Sequence, residues 1–200
     1  MREAEGLQAQ GLRCVARTRG RTAAHNMESD MPEKQPTPST DDALELLIAD
    51  HRAVEKLFTA FEKAQEDDLE AKATLAQRAC EELTIHTIIE EELLYPAASE
   101  ALPESDVVDV EEAYVEHFLV KTLISKFETL KAGDKGFDAT FKVMSEMVRH
   151  HVEEEESELF PELRKANLDV KALGEKIAKR KMELQSKLDQ VGSHAVGDKT

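Results

Sequence analysis

The chain has 200 residues and a formal net charge of −16, from 42 acidic against 26 basic residues. A surplus of that size argues against a nucleic-acid phosphate backbone or an anionic membrane surface as partner. Aromatics make up 4 % with no Trp, no apolar run approaches the ~20 residues of a membrane span, and the Ala, Leu, Glu and Lys content is that of a helical protein.

Residues 1–40 stand apart. Arg13, Arg17, Arg19 and Arg21 cluster among glycines, and Pro32, Pro36 and Pro38 follow. The apolar content is too thin for a core, so a disordered N-terminal extension is expected, with Met27 and Met31 as alternative starts. It lacks an apolar stretch of signal-peptide length. It holds six basic and five acidic residues, which leaves −17 on residues 41–200. The cysteines are Cys14 in this extension and Cys80 on a predicted helix. No disulfide is expected between them, and a cytoplasmic setting is the default.

The first helix begins near Thr40-Asp41-Asp42, whose oxygens suit a cap and whose charge suits the first turn. Its apolar stripe, Leu44, Leu47, Ile48, Val54, Phe58 and Phe61, includes His51. After a turn at Gln65–Asp68, a second helix is predicted from about Leu69 to Ser99. Leu75, Ala79, Leu83, His86, Ile89, Glu90 and Leu93 line its inner face, and Pro96 should kink or end it. A third helix, about Asp106–Lys131, presents Val110, Tyr114, His117, Val120, Ile124 and Phe127. Gly133-Asp134-Lys135-Gly136 marks a turn. A fourth, about Asp138–Lys165, presents Phe141, Met144, Met147, Val148, His151, Glu155 and Leu159, and its Pro161 mirrors Pro96. A lysine-rich amphipathic helix over 169–190 comes next, with a loose tail from Val191.

The second and fourth helices repeat each other. His86-Thr87-Ile88-Ile89-Glu90-Glu91 with Tyr95-Pro96 returns, offset by 65, as His151-Val152-Glu153-Glu154-Glu155-Glu156 with Phe160-Pro161. Upstream, Asp50-His51-Arg52-Ala53-Val54 matches Glu116-His117-Phe118-Leu119-Val120. The unit is therefore acid-His-x-x-Val on one helix and His-x-x-x-Glu on the next, present twice. Such a duplication fits a pair of helices closing on its own copy, an all-α, up-down four-helix bundle over residues 41–166, with residues 167–200 as the additional helix and tail.

His and Glu four apart share a helix face. His51, His86, His117 and His151 each lie on an inner stripe, and Glu90 and Glu155 sit one turn after two of them. A buried, unpartnered carboxylate costs several kcal/mol, roughly, and a metal ion removes that cost. Six converging nitrogen and oxygen donors suggest two metals rather than one zinc. The spacing is neither the His-Glu-x-x-His of zinc proteases nor the Glu-x-x-His of ferritin-like proteins. Glu91, Glu92, Glu153, Glu154, Glu156 and Glu158 read as solvated faces or outer partners of ligand histidines. His150 reads as rim.

Over about residues 41–165 these motifs resemble the hemerythrin-type (HHE) cation-binding domains. The resemblance implies a bundle holding two non-heme irons, with His51, His86, His117 and His151 as terminal ligands and Glu90 and Glu155 as bridges; manganese or zinc are alternative metals. Oxygen-carrying members have two ligand histidines four apart on the third helix. This chain has only His117, with Ala113 and Lys121 one turn away. Each iron would then keep open positions, which favours redox chemistry or iron exchange over reversible oxygen carriage. Glu55, one turn after His51, is a possible additional ligand. The expected function is to bind O2 or a related small oxidant for sensing, detoxification or iron handling. The alternatives are an oxidoreductase consuming peroxide or nitric oxide, and a metal-stabilised structural or partner-binding bundle. The expected partner is the small oxidant, with no nucleic acid and no membrane.

Overall fold

A computed structural model describes residues 42–127 and 129–197, with side chains through residue 190. The expected N-terminal extension, with Cys14 and His25, lies outside the described residues.

Every described element is helical: α1 (Ala43–Lys63), α2 (Leu69–Ile89), α3 (Tyr95–Ala101), α4 (Val107–Phe127), α5 (Phe137–Glu154), α6 (Phe160–Lys165) and α7 (Val170–Gly197). Caps mark the starts as the sequence suggests. The Asp42 side chain accepts the Glu45 N–H at 3.0 Å, and that of Asp68 accepts the Ala71 N–H at 3.0 Å. Gly136, at φ +95°, precedes α5 in the left-handed region that glycine occupies without strain.

Between α2 and α3, and between α5 and α6, the helix does not stop. It widens into a π turn, Glu90–Leu94 and Glu155–Leu159, then tightens again. The Tyr95 N–H bonds back five residues to the Glu90 carbonyl, and the Phe160 N–H to that of Glu155. Pro96 and Pro161 come immediately after. A proline ring clashes with the carbonyl four residues earlier in a regular α-helix. The wider turn removes that conflict, so the helix passes through each proline instead of ending.

The π turns also rotate the residues C-terminal to them. Leu93, expected inside, is only partly buried, while Leu94 and Tyr95 are fully buried. On α4 the inner stripe is Val110, Ala113, His117, Val120 and Ile124. Tyr114, expected on it, is 40 % exposed; the small Ala113 occupies the inner position and the Tyr114 hydroxyl reaches the Glu91 carbonyl at 3.4 Å.

Two helical hairpins, α1 with α2–α3 and α4 with α5–α6, close the bundle. Its core is in two parts. Leu44, Leu47, Ile89, Leu94, Phe160 and Leu163 form one. Val54, Phe58, Leu83, Val120, Phe141 and Met144 form the other. On α1 and α4, His51 and His117 fall between residues of the two parts, and so do His151 and Glu155 on the α5–α6 helix. The bundle thus has a polar layer between two apolar ones.

Helix α7 lies across α1 and α2 and buries Leu173, Ile177 and Leu184 in the first core part. It runs on to Gly197, past the loose tail expected from Val191, because extending an existing helix adds a bond per residue fixed. Ile177 is 1 % exposed. We expect Ile177→Ala to destabilise the fold by about 2–5 kcal/mol, read as a lower urea midpoint at unchanged m. A midpoint equal to wild type would mean α7 is not docked in solution.

Among the described residues, no helix is long and apolar enough to cross a membrane.

Candidate metal centre

The polar layer gathers His51 from α1, His86 from α2, Glu90 from the first π turn, His117 from α4, His151 from α5 and Glu155 from the second π turn. All six are at most 5 % exposed. Their donor atoms form two overlapping groups, His51–His86–Glu90–Glu155 and Glu90–His117–His151, each within 4.8 Å of one another.

The histidines pair by ring nitrogen. His51 Nε2 lies 3.1 Å from His86 Nε2, and His117 Nε2 lies 3.1 Å from His151 Nε2. Each carboxylate touches both pairs. Glu90 Oε2 is 3.0 Å from His86 and 3.4 Å from His117. Glu155 Oε2 is 3.4 Å from His51 and 3.6 Å from His151.

The outward ring nitrogens face acids in a crossed pattern that explains the rest of the repeated motif. His117 Nδ1 is 3.1 Å from Glu91 and His51 Nδ1 is 2.8 Å from Glu156, the second glutamate of each Glu-Glu pair. His151 Nδ1 is 2.7 Å from Glu116, and His86 Nδ1 faces Asp50 at a looser 3.9 Å, the acid of each acid-His pair. Three of the four acids carry a cation in turn. Lys121 is on Glu91, Arg52 on Glu156 and Lys181 of α7 on Asp50.

An Nδ1–H donated outward leaves the Nε2 lone pair facing inward. Two such lone pairs 3.1 Å apart repel unless a cation or proton lies between them. Both oxygens of Glu90, Glu155 Oε2 and His86 Nδ1 are buried without a hydrogen-bond partner. Unpaired buried groups of this kind are costly, and a divalent cation among them satisfies nitrogen and oxygen donors together. The donor set therefore fits a metal centre.

The electrostatics divide the layer: at His151 burial is outweighed by Glu155 and Glu116, which raise its titration. Burial, then the Glu155 charge, pushes the Glu90 carboxyl well up. Glu155 is held below the usual range, since His151 and His51 outweigh its burial. Burial lowers His86 to about 4 and also lowers His117, which keeps both imidazoles neutral and able to coordinate. Burial acts against ionised Glu91 and Glu156, yet both titrate below their ordinary range: His117 and Lys121 outweigh it at Glu91, Arg52 and His51 at Glu156.

Tyr95 is a member the sequence alone did not single out. Its hydroxyl donates to Glu155 Oε1 at 3.0 Å and lies 3.1 Å from His117 Nε2. Its ring is 5.2 Å from that of His117, as Phe160 stacks at 6.0 Å on His51. The repeat places Phe160 opposite Tyr95, so Glu155 has a hydroxyl donor that Glu90 lacks. The signal in the sequence was the Tyr-for-Phe difference at the aromatic-Pro position of the two repeats.

Glu55 does not join the layer. Arg149 holds both its oxygens, at 2.8 and 2.9 Å. The His150 side chain is 62 % exposed, 3.3 Å from Glu154, in keeping with a rim position. The side chain of His194 lies outside those described.

We expect Glu91→Ala or Glu156→Ala to weaken metal binding about 10–100-fold, because each leaves a ligand imidazole without its outer acceptor. A competition titration with a chromophoric chelator measures this. Unchanged affinity in both variants would count against the crossed pattern.

Comparison with known proteins bears on the same residues. The hemerythrin HHE cation-binding domain matches residues 42–163. An uncharacterized hemerythrin-like protein of Schizosaccharomyces pombe is 28 % identical over 119 residues, 60 % of this chain and 58 % of that protein. A DNA nickase of Nostoc is 29 % identical over 120 residues, 60 % of this chain but 33 % of that protein. This chain thus spans less than two thirds of either relative. A crystal structure of a hemerythrin HHE cation-binding domain-containing protein from Mycobacterium kansasii superposes with a TM-score of 0.64 at 25 % identity, over 78 % of this chain and 96 % of that one. The duplicated motif, the bundle and the polar layer agree with these matches: the chain belongs to the hemerythrin HHE cation-binding domain family.

Proposed function

We propose that the polar layer holds two metal ions, iron in the first instance, with His51 and His86 terminal to one, His117 and His151 terminal to the other, and Glu90 and Glu155 bridging them. The observation that carries this is that each glutamate reaches one histidine of both pairs. One ion held by His51, His86, Glu90 and Glu155 would leave His117 and His151 without a role. Manganese and zinc accept the same donors.

Iron held by these residues would supply redox chemistry toward a small oxidant such as O2, peroxide or nitric oxide. The chain's own groups bury the six donors, hold the His51, His117 and His151 rings through Glu156, Glu91 and Glu116, and place one hydroxyl donor, Tyr95, inside the layer. The resulting function is binding of O2 or a related oxidant in sensing, detoxification or iron handling, in the cytoplasm. The negative charge of residues 41–200 favours a small neutral partner over a polyanion.

The second reading is an oxidoreductase that consumes peroxide or nitric oxide. What favours it is the lack of a fifth histidine. One turn either side of His117 stand Ala113, which is small and apolar, and Lys121, which is engaged with Glu91. Neither adds a donor, so both metals would keep positions for a shared substrate.

Metal analysis with optical spectroscopy tests both. Two irons per chain, with a spectral change on O2 addition that reverses on degassing, supports binding. Sustained peroxide or nitric oxide loss with turnover supports the oxidoreductase. A chain that binds no iron overturns both readings.

A further inference from the structure

The two halves of the duplication have diverged on their outer faces. On the first half, Ala43, Leu46, Ile85, Ile89 and Leu93 pack in or against the core part that α7 covers. The repeat offsets carry these five positions to Asp109, Glu112, His150, Glu154 and Glu158. No described helix covers this second face. It forms instead an open cleft lined by Asp109, Glu112, Glu116, Glu154 and Glu158.

The cleft reaches the polar layer. His151 and Glu155 also line it, and Glu155 is 2 % exposed with Oε2 unpartnered. Two of these acids, Glu116 and Glu154, also present donor atoms within 4.8 Å of each other and of the neighbouring His150. Glu116 then touches His151 at 2.7 Å. Its counterpart Asp50 is closed off by Lys181 of α7. So five acids descend from solvent to two donors of the centre, and neither a lysine nor an arginine lines that descent.

We propose that this cleft is the loading route of the metal centre: hydrated divalent cations are drawn in by the acids, held transiently at Glu116–His150–Glu154, and passed to His151 and Glu155. A cleft of one sign between low-dielectric walls focuses the field and raises the arrival rate of opposite charge. These donors are few and His150 among them is exposed, so they hold a cation weakly and release it inward. The inference rests on the two-metal reading above.

The test is the rate at which Co2+ enters the metal-free protein, measured by stopped-flow visible absorbance, beside the Co2+ content at equilibrium. Glu112→Gln/Glu154→Gln/Glu158→Gln is compared with wild type and with a charge-matched control, Glu66→Gln/Asp67→Asn/Glu70→Gln, at the α1–α2 connection. We expect uptake about tenfold slower or more in the cleft variant, with final content equal to wild type and the control near wild type. Raising salt should slow wild type and narrow the gap. An unchanged rate in the cleft variant overturns the route, as does equal slowing in the control. A lower final content in the cleft variant also overturns it, since the acids would then be part of the resting centre. Wild type binding no Co2+ and no iron would instead overturn the two-metal reading, and the route with it.

Discussion

His117→Ala should empty or cripple the centre. His117 is 1 % exposed and touches several groups of the layer. Its Nε2 lies 3.1 Å from His151, 3.1 Å from the Tyr95 hydroxyl and 3.4 Å from Glu90, while Nδ1 takes Glu91 at 3.1 Å. The Tyr95 ring packs against it. Loss of an outer partner alone typically costs about 10–100-fold in metal affinity, so loss of the ligand should exceed that. Metal content should fall from two ions per chain to one or fewer. His150→Ala, on the exposed rim, should leave the equilibrium content unchanged. Wild-type content in His117→Ala, measured after dialysis, would sink the proposed ligand set.

Removing the metal should cost a large part of the stability. Glu90 and Glu155 are 0 % and 2 % exposed, and three of their four oxygens lack a hydrogen-bond partner. Binding to the folded state alone contributes about 4 kcal/mol when free metal exceeds Kd a thousandfold. For a chain of this size that is a fall in Tm of about 8–16 °C on chelation, at about 2–4 °C per kcal/mol. Calorimetry with and without chelator reads it directly. His117→Ala should lose most of this difference, because it has little metal to give up. A metal-free protein melting within a degree or two of the loaded form would show that the acids are accommodated some other way.

The six residues of the polar layer were legible because the chain states them twice. A lone His on an apolar stripe says little, but His51 and His117, and His86 and His151, occupy matched places in a repeated unit. Helix faces were legible where the 3.6-residue period held, as along His51, Val54, Phe58 and Phe61. Two things escaped that period. The π turns add a residue to the turn, so Leu93 was placed inside when Leu94 and Tyr95 are. Between Val110 and His117 both Ala113 and Tyr114 satisfy three- and four-residue steps, so the period alone does not choose between them, and the structure turns Ala113 inward. The outer acids were legible only in part. That Glu91 and Glu156 serve histidines on other helices, 26 and 105 residues away, is a fact of the closed bundle and of no local pattern.

The divergence of Tyr95 from Phe160 also breaks the equivalence of the two halves. A hydroxyl leans on Glu155 and none on Glu90, so a cation arriving at either half would meet a different balance of charge.

The π turns set a phase for every residue downstream of them. A residue in an α-helix advances by about 100°, and each π turn takes up one residue more than a regular turn does. Deleting one residue among positions 91–94 would let that stretch relax to a plain α-helix. Tyr95 and Ala98 would keep their phase, but the Pro96 ring would then meet the carbonyl four residues before it, the conflict the wider turn removes. The chain there is helical throughout, yet its length is as fixed as that of a tight loop. Substitutions at the exposed Glu92 should be tolerated where single-residue deletions beside it are not.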